Sequence, residues 1–74
     1  MTNPTDLYDA LKRRHLIALE ERDDATETRL VLTGELPTVL LNDRGEILIV
    51  DGSDSEWLTL RDLSIDQVLD RISR

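Results

Sequence analysis

The chain has no cysteine, no phenylalanine, and a single histidine, tryptophan, tyrosine and methionine among its 74 residues, and each shortage excludes something. Without cysteine there is no disulfide, and with His15 alone there is no transition-metal site of the usual nitrogen and sulfur ligands. A chain this short forms one domain, residues 1–74, because it buries only roughly 60% of the surface that its unfolded form exposes. Its stability therefore rests on aliphatic packing or on association. The core candidates are Leu, Ile, Val and Ala, with Tyr8 and Trp57 the only aromatics.

Long apolar runs are missing as well. No stretch approaches the roughly 20 apolar residues that span a bilayer, and the polar start Thr2-Asn3-Pro4-Thr5-Asp6 has no signal-peptide core. The expected setting is the cytoplasm, with no membrane partner.

Lysine is nearly absent too. Nine basic residues, of which only Lys12 is lysine, face sixteen acidic ones, for a formal net charge of −7. Two explanations fit. A protein adapted to high salt carries excess Asp and Glu because screening suppresses their mutual repulsion. A protein that competes with nucleic acid for a basic partner carries them as a substitute for phosphates.

The pattern along the chain predicts an α+β fold, a small antiparallel β-meander of three to five strands flanked by an N-terminal and a C-terminal helix. Asn3 is placed to cap the first helix, Pro4 suits its first turn, and Leu7, Ala10, Leu11 and Arg14 share one side. The basic run Lys12-Arg13-Arg14 belongs in a last turn, where cations complement the helix dipole, so the helix is expected to end near residue 14. Residues 15–21 then pair with residues 28–33 across a turn of Asp23, Asp24, Ala25 and Thr26. The competing reading continues the helix to Arg22.

Thr38-Val39-Leu40-Leu41 and Glu46-Ile47-Leu48-Ile49-Val50 flank Asn42-Asp43-Arg44-Gly45, a hairpin turn in which Gly45 supplies the left-handed position. A polar loop is expected from Asp51 to Glu56, then a short strand Trp57-Leu58-Thr59-Leu60. Ser64 and Gln67 form a capping box at the head of the last helix, whose apolar side is Ile65, Val68, Leu69 and Ile72.

Motifs that carry chemistry are scarce along this frame. Asp51-Gly52-Ser53-Asp54-Ser55-Glu56 alternates oxygen ligands like a calcium loop, but a helix-loop-helix site needs Gly sixth and Glu twelfth, where Glu56 and Asp62 stand. No Gly-rich phosphate loop occurs, since Gly34, Gly45 and Gly52 all mark turns. Nothing sets His15 beside a hydroxyl nucleophile and an orienting carboxylate. Lys12-Arg13-Arg14-His15 is a small basic patch without interleaved aromatics, which argues against direct nucleic-acid binding. The expectation is a non-enzymatic protein without metal or cofactor.

Two features point to partners. Ile47 and Ile49 alternate with Leu48 and Val50, so this strand is apolar on both faces. With a helix on each face it is simply the centre of the domain. With both helices on the same face, the other must meet a second copy or a partner. The second feature is the acid-rich turns, Glu20, Glu21, Asp23, Asp24 and Glu27, then Asp51, Asp54 and Glu56, with Asp43 and Glu46 at the hairpin. If these converge on one edge they resemble a phosphate row.

The leading expectation is thus a protein-protein interaction module with an acidic surface: an inhibitor or regulator of a nucleic-acid-handling complex, a DNA mimic of the kind viruses direct against restriction or CRISPR systems. That is an analogy of class and not of motif. The alternatives are a salt-adapted domain that homodimerises through its sheet and an antitoxin-like partner of a basic toxin.

Overall fold

The computed structural model describes residues 2–23 and 27–73. Helix α1 spans Pro4–Arg13, followed by strands β1 (Ile17–Asp23), β2 (Glu27–Leu32), β3 (Thr38–Asn42), β4 (Glu46–Asp51) and β5 (Asp54–Thr59). A 3-10 turn, Leu60–Asp62, leads into helix α2 (Ile65–Ile72). The strands form one antiparallel sheet in chain order, β1-β2-β3-β4-β5, so the expected α+β meander is the observed fold.

Helix α1 begins where its cap dictates. The Asn3 side chain accepts a hydrogen bond from the Asp6 amide at 2.8 Å, satisfying one of the amides that a helix start leaves without a partner. It ends by a left-handed residue, His15, at φ 57°. The His15 amide donates to the Lys12 carbonyl and the Leu16 amide to the Leu11 carbonyl, both at 3.0 Å, the paired bonds of a Schellman motif. The reading that continued the helix to Arg22 fails at this reversal.

Strand β1 contains an irregularity that decides which side chains enter the core. Ile17 is level with Leu32 and Leu19 with Val31, so Ala18 is an extra residue. Without that bulge Ile17 and Leu19 would share a face. With it, Leu16 and Ile17 pack against the core and Leu19 emerges on the opposite side, 52% exposed.

Both helices lie on one face of the sheet and touch each other. Leu7 and Leu11 of α1 and Val68, Leu69 and Ile72 of α2 form a single core with Leu30, Leu32, Val39, Leu41, Ile47 and Ile49. Thr2 fastens the N-terminal segment to this layer, its Oγ1 donating to the Leu63 carbonyl at 2.7 Å. At α2 the capping box forms as expected, Ser64 accepting from the Gln67 amide while Gln67 accepts from the Ser64 amide.

Three details differ from the sequence reading. Asp23 ends β1 opposite Glu27 rather than lying in the turn, while Asp24, Ala25 and Thr26 lie outside the described residues. Asp54, Ser55 and Glu56 belong to β5 and not to a loop, because Gly52 at φ 63° allows a two-residue turn with Ser53. Leu60 leaves the sheet for the 3-10 turn, where it is wholly buried.

Candidate interaction surface

The face of the sheet away from the helices is built by the same alternation that builds the core. Register places Glu21, Arg29, Leu40, Leu48 and Trp57 in one row across all five strands. Leu19 is level with Val31, and Thr38 with Val50 and Ser55, along the neighbouring level of the same face. An antiparallel sheet with a wet outer face normally alternates apolar inward with polar outward. Here the outward positions of β3 and β4 include Leu40, Leu48 and Val50, each half-buried, with Thr38, Asn42 and Glu46 towards the strand ends. Trp57 and Leu19, at opposite edges, are the large exposed hydrophobics, Trp57 at 61%. A shallow, open depression lined by Glu21, Glu27, Arg29, Thr38, Leu40 and Val50 lies on this face.

The charges of this face are partly neutralised at source. Arg29 and Glu21 are opposite each other on β2 and β1, with Arg29 Nη1 3.6 Å from Glu21 Oε1. Both are about half exposed, so the pair contributes little to stability, between about 0 and 1 kcal/mol. Its importance is to leave the middle of the face without net charge.

The nine described members of the ten carboxylate residues picked out from the sequence do not gather on one edge. Glu20 lies on the helix side of β1, where it accepts a hydrogen bond from the Tyr8 hydroxyl at 2.7 Å. Glu56 lies at the far edge of the sheet, also on the helix side, and is paired with Arg71 of α2. Glu21 is held by Arg29 on the open face. Asp23 and Glu27 are opposite each other at one end of the β1-β2 hairpin, and Asp24 lies outside the described residues.

The same end of the sheet carries the β3-β4 turn with Asp43 and Glu46. There Asn42 organises the backbone, its Oδ1 accepting from the Arg44 and Glu46 amides at 2.9 and 3.0 Å while its amide nitrogen donates to Glu46 at 3.2 Å. Asp51 and Asp54 sit at the opposite end, level with each other across the β4-β5 turn. The described members of the set therefore do not form a continuous phosphate-like row. Glu27, Asp43 and Arg44 line one shallow depression at this end, and Glu46 is held by Asn42 next to it.

The Tyr8 phenol is raised above its ordinary value of 10.0, first because the protonated hydroxyl donates to Glu20, then through desolvation and the nearby negative charges of Glu20 and Asp9. Lys12 approaches the same ring, its Nζ 5.7 Å from the centroid. The Tyr8-Glu20 contact fastens α1 to the edge strand β1. It also uses the carboxylate of Glu20 structurally.

Among the described residues no group of three or more His, Cys, Asp or Glu side chains is arranged to hold a metal ion. No described helix is long and apolar enough to cross a membrane. The basic run Lys12, Arg13 and Arg14 is exposed at the end of α1, where Lys12 and Arg13 occupy the last turn.

The sequence reading identified Leu48 and Val50 but missed Leu19, Val31, Leu40 and Trp57 as members of the open face. Only register brings Trp57 level with Leu48, and only the bulge at Ala18 turns Leu19 outward. Compared with protein-family models, with curated proteins and with solved structures, the chain matches none of them.

Proposed function

We propose that this chain is a non-enzymatic protein-protein interaction module that docks through the helix-free face of its sheet. One observation carries the reading: both helices cover the same face, leaving Leu40, Leu48 and Val50 outward between exposed Leu19 and Trp57. An apolar patch of this kind on a small domain marks a binding surface, and a tryptophan at its edge is a typical anchor. The carboxylates around the ends of the strands give a polar rim, which selects partners and keeps the free protein in solution.

A second reading draws on the group Glu27, Asp43 and Glu46. It makes the chain an inhibitor or regulator of a nucleic-acid-handling complex, its acidic end occupying a basic surface built for phosphates. The two readings separate in one experiment: capture from the native host's extract with the wild-type chain, with Leu48→Glu and with Glu27→Gln/Asp43→Asn/Glu46→Gln. Loss of the captured protein with Leu48→Glu alone supports docking through the sheet. Loss with the triple variant alone, together with competition by DNA, supports the acidic reading. Capture that survives both sets of changes refutes both.

A further inference from the structure

Resting on the reading of the open face as a docking surface, we infer that its occupant is a second copy of this chain, stacked face to face about a two-fold axis that runs along β3. Three observations lead there. The first is charge. With a formal net charge of −7, a basic partner would be drawn to the acidic ends, yet the depression on the open face is lined by two acidic and two basic residues, Glu21 and Glu27 with Arg22 and Arg29, which cancel. A neutral apolar patch on an acidic protein fits another neutral apolar patch.

The second is that the face complements itself. Rotation about an axis along β3 lays β2 over the second copy's β4 and β1 over its β5. Val31 then meets the second copy's Val50, Leu40 meets its own counterpart, and Leu48 meets the aliphatic stem of the second copy's Arg29. Trp57 covers the second copy's Glu21-Arg29 pair, where its ring can stack on the guanidinium. This is the isologous geometry of a two-fold dimer, in which each contact occurs twice, and aligned sheets cross near about −30°. An axis across the strands instead would place each Glu21 over its counterpart and each Arg29 over its counterpart.

The third is area. Five strands spaced about 4.8 Å apart, with some six residues each at about 3.4 Å, present a face of roughly 24 by 20 Å. Stacking two such faces buries on the order of 1,000 Å² in total, the lower limit for a specific interface. Association is accordingly weak and reversible. At one end Glu27 comes over the second copy's Glu46, so salt strengthens the dimer by screening that repulsion.

The test uses the full chain in analytical ultracentrifugation over a range of protein and salt concentrations. Wild type is expected to pass from monomer to dimer with rising concentration, at lower concentration in 1 M salt than in dilute buffer. Val31→Lys and Val50→Glu each weaken association by about tenfold or more, since each puts an unpaired charge into the interface. Mixing the two variants restores a heterodimer, because the ammonium introduced in one chain then faces the carboxylate introduced in the other, and association recovers by roughly tenfold over either variant alone. Circular dichroism confirms that both variants fold. A mixture that associates no better than its components overturns the two-fold arrangement. A wild-type chain that stays monomeric at millimolar concentration in 1 M salt overturns the dimer, and the docking reading survives if Leu48→Glu still abolishes capture of another protein. A dimer that Leu40→Glu leaves unchanged overturns the stacking, because that variant sets each carboxylate against its counterpart, and the docking reading then rests on whether Leu48→Glu abolishes capture of another protein.

Discussion

Ile47 and Leu48 are neighbours on the central part of β4, and replacing each by alanine measures which side of the sheet is buried within one chain. Ile47 is fully buried between Leu41 of β3 and Leu58 of β5 under the helix layer. Truncation there removes transfer free energy and leaves a cavity, costing about 3 to 4 kcal/mol. A domain of this length has a total stability of only about 4 to 11 kcal/mol, and each kcal/mol moves the midpoint of a small domain by roughly 4 to 8 °C. Ile47→Ala should therefore lower Tm by roughly 12 to 30 °C, and if the wild-type stability lies near about 4 kcal/mol the variant is barely folded. Leu48 lies between Leu40 and Trp57 on the open face, where water fills the space that a truncation leaves. Leu48→Ala should cost about 1 kcal/mol. The assay is thermal and urea unfolding followed by circular dichroism at low micromolar protein, below the concentration at which copies associate. Equal destabilisation by the two variants in dilute protein would refute the reasoning, since it would require Leu48 to be covered within the monomer.

Three further outcomes follow from local chemistry. Tyr8 is the only tyrosine, so its ionisation can be read directly by absorbance: the midpoint should lie above 10.0, and Glu20→Gln should lower it. Because the folded value is raised, the contact's contribution is fully present below tyrosine's ordinary range and is lost as pH rises through the raised value; a midpoint unmoved by Glu20→Gln would contradict the hydrogen bond. His15→Gly should stabilise the chain by roughly 1 kcal/mol, since glycine adopts the left-handed conformation without the side-chain penalty, and a loss of stability in urea titration would show that the imidazole contributes more than the strain costs. Asp54→Asn removes half of the like-charge pair with Asp51 and should stabilise by a few tenths of a kcal/mol to about 1 kcal/mol in dilute buffer. The gain should fade in 1 M salt, and a gain independent of salt would exclude repulsion as its cause.

The elements that could be read from sequence are those whose signals are local. Asn3 with Pro4, and Ser64 with Gln67, announce helix starts because the capping atoms and the amides they satisfy are three residues apart. Asn42 to Gly45 announces its turn for the same reason. Strand β5 was half hidden because Asp54, Ser55 and Glu56 are polar and exposed on an edge strand, so no alternation marks them, and the turn at Gly52 is what sets their register. The open face was legible only in Leu48 and Val50. Its remaining members are assembled by long-range pairing and by one extra residue in β1, neither of which leaves a periodic trace in the chain. The acidic residues were conspicuous in the sequence, yet their grouping depended on which turns share an end of the sheet.

That copies of this chain meet through the helix-free face is tested most directly by Trp57, the only tryptophan and a member of that face. Acrylamide quenching of its fluorescence should be that of an accessible indole in dilute protein, given its 61% exposure. As protein concentration rises and the sedimenting mass increases, quenching should fall and emission should shift to the blue. A tryptophan that stays equally accessible while the mass doubles, or one already protected in dilute monomer, would contradict the claim.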